Sequence, residues 1–308
     1  MTLEELRRRL RLPIIVAPMF LVSGPELVIA AGRAGLIGAF PSINARTPEE
    51  FESWLVRIER ELQGTPYAVN LIVRSAGDAR YEADLALIER FKPPLVITSV
   101  GQPQAAAERI HRYGGLVFHD VATMRHATKA IEAGVDGLIL LTAGAGGHTG
   151  TANPFAFVAQ VRKQWQGAVL LAGGISEGAS ILAAQALGAD FAYMGTRFAA
   201  TRESLAAPEY KALLVSETLA DVLTTERISG MSATFLRGSI TRVGLDPKAL
   251  PERLGPFKPA IPPHLKAWRD IWSGGHGVGL IEDIPPVAEL VERLEAQYRD
   301  ARESLLKR

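Results

Sequence analysis

Residues 115–142 have the sequence GLVFHDVATMRHATKAIEAGVDGLILLT, which contains one complete structural repeat of the chain. The apolar run Gly115–His119 is followed by an alanine-rich segment that begins after Thr123 and ends at Gly134, and then by the apolar run Gly137–Thr142. A threonine before a helix accepts hydrogen bonds from free backbone amides, and a glycine after it adopts the left-handed conformation that ends a helix. The stretch therefore predicts a strand, a helix and a second strand parallel to the first.

The same order of apolar run, amphipathic segment and glycine occurs throughout the first two thirds of the chain. Apolar runs without polar alternation are typical of parallel strands that are buried on both faces. Eight such runs are predicted as strands: Pro13–Ala17, Gly35–Phe40, Tyr67–Ile72, Leu95–Val100, Gly115–His119, Gly137–Thr142, Ala168–Ala172 and Asp190–Gly195. Eight strands that alternate with helices predict an α/β fold, the (β/α)8 TIM barrel. A doubly wound open sheet is the alternative, but the Gly-x-Gly-x-x-Gly that usually follows its first strand is absent.

The sequence pattern changes after about residue 203. Residues 208–227 have a helical composition, and closely spaced prolines from Pro247 to Pro263 predict an extended, exposed segment, because proline fixes φ and lacks a backbone N–H. A last helix is predicted to begin near Pro286. We expect a barrel domain formed by 1–207 and 275–308, with a small, mostly helical lid inserted at 208–274.

Composition limits the classes of function. The chain has 308 residues, with 34 basic and 33 acidic side chains and a net charge of +1, so it lacks the positive excess typical of nucleic-acid binding. It contains no cysteine, which excludes disulfides, thiolate metal sites and a cysteine nucleophile. Glu4 and Glu5 precede the first apolar run, unlike in a signal peptide, and no apolar run reaches the length of about 20 residues that a membrane helix needs. We expect a soluble, cytoplasmic protein with a small-molecule partner, and leave open whether it is a monomer or a homodimer.

Glycine motifs follow the last two predicted barrel strands. Gly173-Gly174 follows the seventh strand, and Gly195-Thr196 follows the eighth. In a (β/α)8 barrel the loops after these two strands commonly bind phosphate, because glycine lets backbone amides approach an anion closely. A role in tight turns alone is the structural alternative, but the joint position of the two motifs favours a phosphate site.

His148 lies in the loop after the sixth predicted strand, where it follows the glycine-rich residues 144–147. An imidazole on a flexible strand-end loop can accept a proton near neutral pH. A histidine that only hydrogen-bonds the loop backbone is the alternative. His119 is a second histidine at a strand end. Because the histidines lack metal-binding spacing and cysteine is absent, we expect no metal site.

Together these motifs resemble those of the nitronate monooxygenase family, formerly called 2-nitropropane dioxygenases, which are FMN-dependent barrels. The resemblance covers nearly the whole chain and is weakest across the proline-rich segment. The matching motifs are Ala17-Pro18-Met19, Val69-Asn70-Leu71, Ala145–Gly150, Ala172–Ile175, Leu187–Asp190, Met194–Phe198 and Gly277–Ile281.

The resemblance implies an oxidoreductase that uses FMN and O2 to convert alkyl nitronates, or nitroalkanes, to a carbonyl compound and nitrite. It implies that His148 is the base that removes the α-proton of a nitroalkane. Backbone amides at Gly173, Gly174, Gly195 and Thr196 would hold the phosphate, and the loops around them would line the flavin. The full set of residues assigned to FMN is Ala17, Pro18, Met19, Asn70, His119, Gly146, Gly147, Gly173, Gly174, Met194, Gly195 and Thr196.

Leu141 departs from the family pattern. Members with established nitronate activity commonly have a glutamine at this position that touches the flavin, and Leu141 replaces it here. The phosphate motifs are unaffected, so the resemblance implies that FMN still binds. The redox tuning of the flavin and the substrate pocket are the properties expected to differ.

Two other functions stay open at this point. One is an NAD(P)H-dependent reductase of quinones or enoyl thioesters on the same FMN barrel, because related flavin barrels share the Gly-Gly-His loop. The other is a barrel without FMN that isomerises or cleaves a sugar phosphate. Reduction of the flavin by a nitronate, reduction by NADH, or a protein that stays colourless with FMN would distinguish the three.

Overall fold

Eight parallel strands close into a barrel, which confirms the predicted fold. The computed structural model describes residues 1–74, 77–252, 255 and 257–307. Each strand pairs with the next one in the barrel, and the last strand pairs with the first. The barrel strands are β1 (Ile14–Val16), β2 (Ile37–Pro41), β3 (Ala68–Ile72), β4 (Leu95–Ser99), β5 (Leu116–Val121), β6 (Gly137–Leu141), β8 (Ala168–Ala172) and β9 (Phe191–Met194). A further strand, β7 (Gly147–His148), lies in the loop after β6.

Helices connect the strands and begin where the sequence provides caps. Thr123 Oγ1 accepts a hydrogen bond of 3.1 Å from His126 N, and Gly188 ends a helix with φ +105°. The helices are α1 (Leu3–Arg8), α2 (Pro25–Arg33), α3 (Pro48–Leu62), α4 (Ala79–Phe91), α5 (Gln104–His111), α6 (Met124–Glu132), α7 (Pro154–Arg162), α8 (Gly178–Leu187), α9 (Thr196–Ala199), α10 (Pro208–Ser216), α11 (Arg237–Arg242) and α12 (Val287–Leu306), with short 3₁₀ helices at Ser42–Asn44, Leu219–Asp221 and His276–Leu280. Among these helices of the described ranges, none combines the length and apolar character needed to cross a lipid bilayer.

Side chains of each barrel strand alternate between two apolar layers. In β5, Leu116 and Phe118 pack with residues of the other strands inside the barrel, whereas Val117 and Val121 pack between the strands and the helices. Successive residues of a strand point to opposite faces. This alternation decides which polar residues at the strand ends face the barrel mouth.

The 208–274 segment is less helical than predicted. Besides α10 and α11 it contains β10 (Val222–Thr225) and β11 (Ala233–Leu236), which pair antiparallel with each other, and β11 also pairs with β7. The β-branched and aromatic residues of β10 and β11 favour strand over helix, which accounts for the difference. The division of the chain into barrel and lid stays a prediction.

The proline-rich stretch contains no helix or strand among its described residues, as predicted. Most of these residues are partly or fully exposed, although Leu250 is buried. Pro256 lies outside the described residues, together with 253 and 254.

Candidate active site

A cavity of about 390 Å³ opens at the carboxyl end of the barrel, and we call it the mouth cavity. Its volume falls within the range of about 300–1,000 Å³ that is usual for small-molecule sites. Most of the predicted site residues line it: Ala17, Pro18, Met19, Asn70, Gly146, Gly147, His148, Gly173, Gly174, Gly195 and Thr196. His119 and Met194 do not.

The side chains of His119 and Met194 are directed away from the mouth cavity. His119 follows the inward-facing Phe118, so strand alternation turns it outward, where its Nδ1 lies 2.9 Å from Thr98 Oγ1. Burial lowers the pKa of His119 to about 4, so this imidazole is neutral at pH 7. Met194 packs in the outer layer, and the preceding residue, Tyr193, lines the cavity instead. Neither side chain therefore faces the mouth cavity, and a contact of these two residues with the cofactor stays a prediction.

Asp120 is a cavity residue that the sequence analysis missed. It is the end of a polar chain across three neighbouring strands, in which Asn70 Nδ2 donates to Ser99 Oγ at 2.7 Å and Ser99 Oγ donates to Asp120 Oδ2 at 2.6 Å. The other oxygen, Asp120 Oδ1, is buried and has no partner among the described residues. Burial raises the pKa of Asp120 to about 6, and the Ser99 hydrogen bond opposes that rise. A buried acceptor that lacks a partner beside a cavity is a candidate contact for a ligand.

His148 is held in place by the 208–274 segment, contrary to the flexible loop that the sequence predicted. It lies in β7, directly opposite Ala233 of β11. Thr234 Oγ1 donates to Ala145 O at 2.8 Å, and Gly147 N donates to Ser273 Oγ at 2.7 Å. Strand pairing and these two hydrogen bonds fix the direction in which the histidine enters the cavity.

The His148 ring is exposed to solvent at the wall of the mouth cavity. The protein around it is nevertheless dense enough that desolvation lowers the pKa of the imidazole below its ordinary value of 6.5. The ring makes an edge contact with Trp268 at 5.3 Å between centroids, and no described residue hydrogen-bonds either ring nitrogen. A neutral imidazole with a free nitrogen can accept a proton from a bound molecule.

The Gly173–Ser176 turn has the features of an anion site. Gly173 and Gly174 have φ values of +133° and +68°, which other residues rarely adopt, and a Cβ at Gly174 would meet open space. Ser176 Oγ is buried and has no partner among the described residues, although the residue lines the mouth cavity. Thr196 Oγ1, at the start of α9, accepts a hydrogen bond of 3.0 Å from Gly275 N. A free hydroxyl beside an open, glycine-lined turn fits a phosphate.

Known proteins resemble this chain over most of its length. The nitronate monooxygenase family profile matches residues 6–297. The chain is 28% identical to the nitronate monooxygenase of Paraburkholderia phytofirmans over 345 aligned positions, which cover 95% of this chain and 94% of that one. A nitroalkane oxidase structure from Streptomyces ansochromogenes is 29% identical, with a TM-score of 0.82 and coverage of 98% and 99%. The structure of FabK from Thermotoga maritima is 26% identical, with a TM-score of 0.80 and coverage of 98% and 97%.

Proposed function

The chain belongs to the nitronate monooxygenase family of flavin-dependent oxidoreductases, and on that basis we propose that it binds FMN and oxidises alkyl nitronates with O2 to a carbonyl compound and nitrite. The observation that carries the proposal is the neutral, unpaired His148 on the wall of the same cavity that contains the Gly173–Ser176 turn. The base suits a substrate that is a carbon acid, and the anion site in the same cavity suits a cofactor that carries a phosphate.

The residues present fit FMN. Ser176 Oγ and the backbone of Gly173, Gly174 and Gly195 would hold its phosphate, and the unpaired Ser176 hydroxyl is the observation that supports this assignment. The sequence offers one such cradle and no second nucleotide motif, which favours FMN over FAD. When bound, FMN supplies the electron-transfer chemistry, and the protein supplies binding, orientation and electrostatics. Asp120 Oδ1 would give the bound group a polar contact.

His148 would act on neutral nitroalkanes before the oxidation. Its neutral imidazole can accept the α-proton of a nitroalkane and so convert the substrate to the nitronate. A preformed nitronate has already lost this proton and does not need the base. The pairing of β7 with β11 would keep the ring at a constant position relative to the cavity.

Aerobic turnover of propyl-2-nitronate tests the proposed reaction. We expect the FMN-loaded protein to consume O2 and to form nitrite and acetone together. Nitrite is measured colorimetrically and acetone by gas chromatography. A fully flavin-loaded protein that forms no nitrite from propyl-2-nitronate or from its longer homologues would overturn the proposal.

Ser176→Ala tests the phosphate site. Hydrogen bonds to charged groups contribute about 1.5–3 kcal/mol, so we expect FMN affinity to fall by about tenfold to a hundredfold. The thermal stability of the flavin-free protein should not change, because the hydroxyl has no partner among the described residues. Flavin fluorescence titration measures the affinity, and Ser53→Ala on the exposed face of α3 is the matched control. Unchanged FMN affinity, or release of FAD on heating the wild type, would contradict the assignment.

A further inference from the structure

A second cavity adjoins the mouth cavity at His148. It has a volume of about 280 Å³, and we call it the outer cavity. His148 and Trp268 line both cavities, so these two side chains form the boundary between them. The outer cavity is otherwise mainly apolar, with walls that include Ile228, Met231, Pro259, Ile261, Pro262 and Leu265.

Trp268 is held at this boundary by an unusual backbone conformation. Its φ of +71° lies in the left-handed region, which is a rare conformation for a bulky side chain. Trp268 N donates to Ile271 O at 2.9 Å, which closes the turn. The indole ring stacks on Phe235 at 4.9 Å between centroids and meets the edge of the His148 ring. A strained backbone conformation of this kind persists only where surrounding contacts hold it in place. Such conformations are concentrated at ligand-binding sites.

Backbone hydrogen bonds also hold the far wall of the outer cavity in place. Ala260 N donates to Arg227 O at 2.6 Å, and Leu265 N donates to Pro262 O at 3.0 Å. Ile228, next to Arg227, is completely buried. The prolines of this wall have fixed φ values. They therefore contribute apolar surface and lose little conformational entropy when the wall becomes ordered.

We propose that the outer cavity binds the apolar substituent of the substrate, so that the preferred substrates are nitronates and nitroalkanes with an extended hydrocarbon chain. This inference rests on the proposed function, in which the reacting carbon lies beside His148 and the mouth cavity holds FMN. The substituent on that carbon then lies next to the apolar outer cavity, which His148 and Trp268 also line. Cavities lined in this way favour hydrocarbon groups because burial removes apolar surface from water.

Straight-chain carboxylates test this subsite without turnover. A carboxylate is a planar anion that resembles a nitronate but cannot be oxidised by the same reaction. Calorimetric titration of the flavin-loaded protein with butyrate, hexanoate and octanoate should show affinity rising about fourfold for each added methylene. The kcat/KM values of the corresponding alkyl nitronates should follow the same trend.

Filling the outer cavity should weaken the chain-length preference. In Ile261→Trp we expect octanoate affinity to fall by at least tenfold, toward that of butyrate, while butyrate affinity and flavin content stay constant. Met231→Trp fills the cavity from another wall if the first variant folds poorly. Val56→Trp, on the exposed side of α3, is the matched control and should retain the preference.

Equal affinities for the three carboxylates in the wild type, or a full preference retained in both folded variants, would overturn the subsite. Chain-length-dependent binding without oxidation of any nitronate would refute the proposed reaction and still support the subsite. Oxidation of nitronates at equal efficiency for all chain lengths would support the reaction and refute the subsite.

Discussion

Replacement of His148 by asparagine is expected to reduce the turnover of a neutral nitroalkane by about 10²- to 10⁴-fold, the range typical of a lost general base. The expectation rests on a neutral imidazole at the cavity wall that has no hydrogen-bond partner among the described residues. Asparagine is polar and of similar size but cannot accept the proton. Steady-state nitrite formation from nitroethane measures the loss, and His126→Asn on the exposed face of α6 is the control.

The anionic nitronate separates base catalysis from other roles of His148. Its turnover should fall much less than that of the nitroalkane, with flavin content unchanged. Equal losses on both substrates would mean that His148 positions the substrate, and loss of flavin would mean that it is structural. Full nitroalkane turnover would mean that His148 is not the general base.

The pH dependence follows from the same group. Desolvation by the surrounding protein lowers the pKa of His148 below its ordinary value of 6.5, so the imidazole is mainly neutral at pH 7 and becomes protonated in more acidic solution. We expect kcat/KM for the nitroalkane to be constant through neutral pH and to decline as the pH falls through the lowered pKa. The corresponding decline should be absent in His148→Asn.

Asp120→Asn is expected to stabilise the flavin-free protein at neutral pH by about 3 kcal/mol, because burial raises the carboxyl pKa from 3.8 to about 6. Well below pH 3.8 the carboxyl is protonated in both the folded and the unfolded state, so it makes no pH-dependent contribution. As the pH rises toward 6, the unfolded state loses this proton first, and the folded state loses stability. Asparagine is neutral throughout and can still accept the hydrogen bond from Ser99.

Denaturant unfolding at pH 4 and pH 8 measures this effect. The stabilisation should be present at pH 8 and nearly absent at pH 4, and Asp300→Asn on the exposed part of α12 should show neither change. Destabilisation at pH 8, or an equal gain at both pH values, would contradict a buried, unpaired carboxylate at the cavity. Destabilisation would imply that Asp120 has a favourable partner in the folded state, and an equal gain would imply that the effect does not come from ionisation of Asp120.

The sequence was sufficient to predict the barrel, because mainly apolar runs alternate in order with amphipathic segments, several of which begin at a helix cap or end at a glycine. It also placed His148 and the Gly173-Gly174 pair at the barrel mouth, since strand ends and the following loops determine that position. These predictions depend only on local pattern and on the order of the elements.

Strand alternation was the missed signal for Asp120. Residues Leu116–Phe118 of β5 are all apolar, so polarity does not show which of them face the barrel interior. Counting from Phe118 would have placed Asp120 inside and His119 outside. The same alternation indicates that Tyr193, and not Met194, faces the mouth cavity.

Other features depend on contacts between distant parts of the chain. Strand β7 has only two residues, and its pairing with Ala233 and Thr234 has no local sequence signal. The outer cavity requires Trp268 to adopt a positive φ, which the sequence does not indicate for a tryptophan. The sequence pattern therefore could not predict that the 208–274 segment holds His148 in place.

Anaerobic reduction of the bound flavin tests the proposed function most directly. The protein, loaded with FMN and freed of O2, is mixed separately with propyl-2-nitronate, NADH and NADPH while the visible flavin absorption is recorded. We expect the nitronate to bleach the flavin rapidly and neither nicotinamide nucleotide to do so. Rapid bleaching by NADH or NADPH, with no change on addition of the nitronate, would contradict this expectation and identify the protein as a nicotinamide-dependent reductase.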